Sequence, residues 1–108
     1  MKIAAVIATM GRPDSVAETL RRLARQTRAP DQVLVVGATD TDFPPKGNSS
    51  EEFSNVQFVL ASKGLPKQRN RALDLLDGSV DAIVFFDDDF FPAKDFIAGV
   101  ERLMREHP

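Results

Sequence analysis

The chain has 108 residues, 43% hydrophobic and 28% charged, the composition of one ordinary folded domain with enough length for a single core. A net charge of -2, with no basic block interleaved with aromatics, excludes a general nucleic-acid binder. The absence of cysteine excludes disulfides, thiolate zinc sites and cysteine nucleophiles, and the lone His107 lies beside the C-terminus, where it is expected to be solvated.

Lys2 to Thr9 is predicted as the first strand, with an apolar core from Ile3 to Ala8 and a turn at Met10-Gly11-Arg12-Pro13. That run is too short for the apolar region of a signal peptide, and no run approaches the roughly 20 apolar residues that span a bilayer as a helix. The chain is therefore expected to be cytoplasmic, or membrane-associated as part of a larger protein. Ser15 and Glu18 have capping-box spacing, and Val16, Leu20, Leu23 and Ala24 recur at helical intervals, which predicts a first helix from about Ser15 to Gln26. Arg21, Arg22, Arg25 and Arg28 fall mainly off that stripe and are expected to form a solvated face.

Beyond Ala29-Pro30-Asp31, the second strand is predicted over Gln32 to Val36, ending at Gly37. Strand, helix, strand with short connections implies a parallel crossover. Residues 38–55, with Pro44-Pro45, Gly47 and Asn48, read as a long loop. Val56 to Leu60 alternates imperfectly and suits a third strand toward the sheet edge. Ser62-Lys63-Gly64 makes a turn, Pro66 suits a first helical turn, and a second helix follows to about Leu76. In it Arg69, Ala72, Leu73 and Leu76 are predicted to share the inner face. An arginine there needs an anion, either a buried structural partner or a phosphate ligand. Asp77-Gly78 closes the helix, Ala82 to Phe86 is the fourth strand, and a last helix starts near Ala93 or Lys94 with Phe96, Ile97, Val100, Leu103 and Met104 as its apolar face. The order is βαββαβα, an α/β chain with a mostly parallel sheet and flanking helices.

The stretch with the clearest chemistry joins Ile83-Val84-Phe85-Phe86 to Asp87-Asp88-Asp89. Four apolar residues in a row predict a strand buried on both faces, inside the sheet. If the backbone stays extended past Phe86, Asp87 and Asp89 project together and Asp88 points the opposite way. Three neighbouring carboxylates repel, so a cation is expected near them. Magnesium or manganese suits oxygen donors and leaves positions for water and substrate phosphate. The alternative is a solvated acidic turn that merely ends a strand.

Taken together, four blocks resemble the N-terminal, nucleotide-sugar-binding half of family 2 glycosyltransferases, which have the Rossmann-like GT-A fold. They are Ile7-Ala8-Thr9 through Gly11-Arg12-Pro13 with Leu20, Leu23 and Gln26; Asp31 to Val36 with Asp40 and Asp42; Lys63-Gly64 with Gln68-Arg69-Asn70 and Ala72-Leu73; and Phe86-Asp87-Asp88-Asp89 with Pro92. Almost the whole chain is covered. The resemblance implies strand order 3-2-1-4, a nucleoside-diphosphate sugar as partner, and an Asp-any-Asp motif with Asp87 and Asp89 as ligands of magnesium or manganese. It also implies Thr9, Arg12, Asp42, Lys63, Arg69, Asp87 and Asp88 as nucleotide-sugar-binding residues.

The sequence departs from the family pattern in two places. Gly37 stands where many members carry the base-binding aspartate, so base contacts are expected from Asp40, Asp42 or backbone. The family also continues into an acceptor-binding half with the catalytic base, so residues 1–108 are expected to form a single truncated domain, inactive alone and self-associating through the edge of the fourth strand. The sugar, lipid or protein acceptor is not named by these residues. Two other functions compete: a non-catalytic nucleotide or nucleotide-sugar binding module, and a nucleotidyltransferase, which the lack of a glycine-rich phosphate loop after the first strand disfavours.

Overall fold

The computed structural model describes residues 1–45, 53, 55–76 and 78–107. Its elements in order are β1 (Ile3–Ala8), α1 (Pro13–Ala24), β2 (Gln32–Gly37), a 3-10 turn (Asp40–Asp42), β3 (Val56–Leu60), α2 (Leu65–Leu75), β4 (Ala82–Asp87) and α3 (Phe96–Glu106). The four strands form one sheet in the order β3-β2-β1-β4, and every pairing is parallel. Of the loop predicted over 38–55, residues 46–52 and 54 lie outside the described residues, as does the predicted helix stop at Asp77. Among the described residues no helix is long and apolar enough to cross a membrane.

The core has two layers because successive strand side chains point to opposite faces. On one face Ile3, Ala5 and Ile7 of β1, Val33 and Val35 of β2 and Phe86 of β4 pack under Val16, Leu20 and Leu23 of α1 and Ile97 of α3. On the other, Val6, Leu34 and Val36 pack against Ala72 of α2. β1 and the apolar part of β2 are thus buried from both sides, which is why their sequences are unbroken apolar runs.

β4 is different. Its apolar run alone predicts an interior strand, whereas the family resemblance predicts the order 3-2-1-4; the sheet has that order, so β4 forms an edge, with Phe86 buried and Phe85 43% exposed. Ala82, Val84 and Phe86 face the α1 and α3 layer, while Ile83 and Phe85 point to the α2 side. There α2 makes its principal contacts with β1 and β2. An apolar run reports hydrophobic surroundings without counting the neighbours that supply them.

Element ends shift by a few residues. α1 starts at Pro13, whose fixed φ suits the first helical position, and Arg12 is its N-cap; the Ser15–Glu18 capping box does not form. Glu18 pairs instead with Arg22 at 2.9 Å. A capping box does occur at Thr39 and Asp42 on the 3-10 turn. α3 begins at Phe96, later than predicted, with Leu103 exposed. In α2 the inner residues are Gln68 and Ala72, whereas Leu73 is exposed, so the predicted inner face is rotated toward Gln68. Arg28, expected on a solvated face, is instead a half-buried hub that reaches Glu101, Asp31 and the Met1 carbonyl.

Candidate functional site

Register brings the chemistry together. Ala8 lies opposite both Val36 and Asp87, so β1, β2 and β4 end at one level and their following residues crowd one rim of the sheet. This rim includes the carboxyl ends of β1 and β4, neighbours although far apart in sequence, and open α/β sheets bind ligands outside such strand ends.

The extended geometry assumed for the acidic triplet lasts one residue only. β4 ends at Asp87 and a turn follows, closed by the Phe90 N–H donating to the Asp87 carbonyl at 3.1 Å. Asp88 and Asp89, and not Asp87 and Asp89, therefore share a cation: Arg12 Nη1 is 3.8 Å from Asp88 and 3.1 Å from Asp89. Asp87 pairs with Arg69 at 3.5 Å. Thr9 is fully buried and its hydroxyl donates to Asp88 Oδ2 at 2.9 Å. Thr9, Arg12, Asp88 and Asp89 thus form one connected group, and the Arg69–Asp87 pair stands beside it where β4 ends. Lys63 is exposed in the turn between β3 and α2 and pairs with none of these carboxylates.

Asp42 is held by backbone instead of by a guanidinium. Its carboxylate accepts the backbone N–H of Gly11 at 2.7 Å, Ala38 at 2.8 Å and Thr39 at 2.9 Å, and the residue is buried. Burial alone would push its carboxyl up, but the N–H donors of Thr39, Gly11 and Ala38 outweigh that and hold it below the usual carboxylate range. This bond fixes Gly11, whose φ of 69° belongs to the left-handed region, directly before Arg12. It also explains Gly37: a Cβ there would approach the Asp42 Cβ and the Phe43 ring to 2.9 Å, so no side chain fits at the end of β2.

Three polar residues whose roles the sequence reading missed hold this rim. Gln68 is fully buried; its Nε2 donates to the carbonyls of Thr9 at 2.9 Å and Val36 at 2.8 Å, tying the ends of β1 and β2 to α2. Thr19 is fully buried in α1, and its hydroxyl lies 3.2 Å from the Phe90 carbonyl and 3.4 Å from that of Asp88. Gln26 donates to the Ala93 carbonyl at 2.7 Å and accepts the Ile97 N–H at 3.0 Å. The available signal was a polar residue at apolar-stripe spacing: Thr19 three after Val16, Gln26 three after Leu23, Gln68 four before Ala72.

The acidic turn rests on an aromatic cluster, with Phe86, Phe90 and Phe96 centroids 5.6 to 5.8 Å apart. Three carboxylates face two guanidinium groups, leaving local negative charge unbalanced. Among the described residues no three His, Cys, Asp or Glu side chains gather as a ready metal cage. In donor chemistry alone, Asp87 and Asp89 suit magnesium or manganese: their side chains are hard oxygen donors, 70% and 59% exposed, paired with Arg69 and Arg12 respectively. Such ions commonly take one or two carboxylates and complete their shell with water and phosphate.

The fold is shared with known structures. S. aureus TarS superposes with a TM-score of 0.77 at 23% identity, over 99% of this chain and 20% of that one. TarS 1-349 in complex with UDP gives 0.70 at 21% identity, and in complex with UDP-GlcNAc 0.74 at 23%, each over 99% of this chain. The chain spans about a third of those TarS 1-349 chains, 33% and 32%. No curated protein matches the sequence. The model of one family, Glycosyl transferase family 2, matches residues 4–108, and the chain belongs to that family.

Proposed function

We propose that this chain is the donor-binding part of a sugar transferase, taking a nucleoside-diphosphate sugar together with magnesium or manganese for transfer to an acceptor hydroxyl. The observation that carries the reading is the rim itself: three carboxylates, two of them well exposed, and two guanidinium groups converge at the ends of the adjacent parallel strands β1 and β4. The TarS structures that hold UDP and UDP-GlcNAc share this fold and make uridine diphosphate sugars the first donors to test.

Asp87 and Asp89 would hold the ion, and when bound it neutralises charge on the diphosphate. Arg69 exchanges its long contact with Asp87 for the anionic diphosphate, adding a planar fork suited to phosphate oxygens. Arg12 keeps Asp88 and Asp89 from repelling each other before donor arrives. Asp88, drawn inward by the Thr9 hydroxyl, is the carboxylate best placed to accept a donor hydroxyl. As the bond at the anomeric carbon breaks, the leaving diphosphate gains negative charge, and Arg69 stabilises that charge more than the ground state. No residue of this chain is assigned as the base that activates the acceptor.

Thermal melts with manganese, UDP, both and neither test the reading. Binding to the native state alone raises stability with the logarithm of ligand concentration over Kd. The combination should raise Tm beyond the sum of the separate shifts, and Asp87→Asn with Asp89→Asn should abolish the excess. No excess in the wild type, or an equal excess in the double variant, overturns it.

A further inference from the structure

We infer that Thr19 of α1 and Gln26, two residues beyond the end of that helix, are positioning residues for the acidic turn: together they hold the segment that carries Asp88 and Asp89 in its binding geometry. The inference rests on the donor-site reading above and adds what makes that site rigid.

Residues 88–95, between β4 and α3, contain no helix or strand, so no ladder of backbone bonds fixes them. Beyond the Thr9 and Arg12 contacts to the carboxylates, the contacts that hold this segment come from α1 and the residues just after it. Thr19 and Arg22 are three apart and share one face of the helix, and Gln26 follows just beyond its C-cap Arg25. Thr19 reaches the carbonyls of Asp88 and Phe90, the Arg22 guanidinium lies 5.2 Å over the Phe91 ring, and Gln26 reaches the Ala93 carbonyl and the Ile97 N–H. Just past the helix, the Thr27 N–H donates to the Lys94 carbonyl at 2.9 Å. The segment is thus held at both ends by buried amide and hydroxyl groups.

Burial gives the arrangement its stiffness. Thr19 is 0% and Gln26 7% exposed, so releasing either contact leaves a polar group without water to replace the lost partner. A serine or threonine inside a helix often returns its hydroxyl to its own backbone. Thr19 instead spends it on the acidic turn. The Thr19 hydroxyl has one proton to give and the Phe90 carbonyl at 3.2 Å is its nearer acceptor, while Thr9 holds the Asp88 carboxylate from β1, so the turn is gripped at two points.

The test uses the intact chain and three variants: Thr19→Val, which keeps shape and removes the hydroxyl, Thr19→Ser, which keeps the hydroxyl, and Gln26→Leu. The first readout needs no ligand. Amide exchange at Phe90, whose N–H bonds to Asp87 and not to Thr19, is compared with that at Val6 in the central strand. Thr19→Val should speed exchange at Phe90 more than at Val6, and Thr19→Ser should leave it near wild type. The second readout is the Kd for manganese in the presence of UDP, taken well below each variant's Tm. It should weaken by about fivefold in Thr19→Val, the equivalent of one hydrogen bond, and recover in Thr19→Ser. Gln26→Leu should act in the same direction if it folds. A uniform rise in exchange that tracks global stability, or an unchanged Kd beside a loosened turn, overturns the positioning role. A wild-type chain that binds no manganese with UDP defeats the donor-site reading, while the exchange comparison still decides whether Thr19 holds the turn.

Discussion

Two charged clusters lie at opposite ends of the same sheet, and they are built differently. At the starts of β1 and β2, Arg28 joins Asp31 at 3.0 Å, Glu101, and the carbonyls of Met1 and Ala29, with every partner close. The Asp31 carboxylate in turn accepts the Ile3 N–H at 2.7 Å. At the ends of β1 and β4, the contacts from Arg12 and Arg69 run from 3.1 to 3.8 Å and carboxylates outnumber guanidinium groups. The first cluster is saturated and joins the chain start to α3. The second has longer single contacts and surplus negative charge, the features on which the proposed binding of a cation and a diphosphate rests. Ion pairs that look alike on paper therefore differ in kind: one set is saturated with close partners, the other is long and exposed.

Asp42 gives the largest separation between the two kinds. It belongs to the rim of the candidate site by position but to the saturated kind by contact, since three backbone N–H groups share its carboxylate. Asp42→Ala should lose about 2–3 kcal/mol in urea unfolding, because buried donors go unpaired. A loss no larger than an ordinary surface change would place Asp42 with the carboxylates of the other set.

Arg28→Met comes next, with an expected loss of about 1 kcal/mol and unchanged affinity for UDP with manganese. Its pH dependence sharpens the point. The Ile3 N–H, together with Arg28, holds Asp31 below the usual range, and Arg28 followed by Arg105 lowers Glu101. Both carboxyls have a lower pKa folded than unfolded, so their contribution is complete above the unfolded values near 4 and is lost as pH falls through the folded ones. The gap between wild type and Arg28→Met should accordingly close in acid below about pH 4. A gap that persists there would mean that Arg28 acts through packing and its carbonyl contacts, not through charge.

The smallest stability effect is expected at Arg69. Arg69→Met should change the ligand-free stability by less than about 0.5 kcal/mol, as exposed ion pairs do, while weakening nucleotide binding. Isothermal titration alongside a urea melt checks both halves. A large loss of stability with affinity intact would show that Arg69 belongs with Arg28 as a structural partner.

The sequence alone determined the order of elements, the parallel sheet and the group of residues that meets at its rim. Apolar runs and turn residues act locally, so the run over Ile83 to Phe86 puts Asp87 to Asp89 at a strand end, and the resemblance of the motifs adds Thr9, Arg12 and Arg69. Strand pairing, by contrast, is a long-range choice, and with it came the two facts that periodicity could not supply. β4 lies at the edge, so Phe85 is exposed despite an apolar run as continuous as that of β1. The acidic triplet turns after Asp87, so Asp88 and Asp89 share Arg12 from a segment 77 residues away in sequence from Asp89. Buried polar groups were the least legible of all. Thr19, Gln26 and Gln68 look like interruptions of an apolar stripe until the carbonyls they satisfy are brought beside them, because hydrogen-bond partners distant in the chain exist only once the tertiary structure has formed.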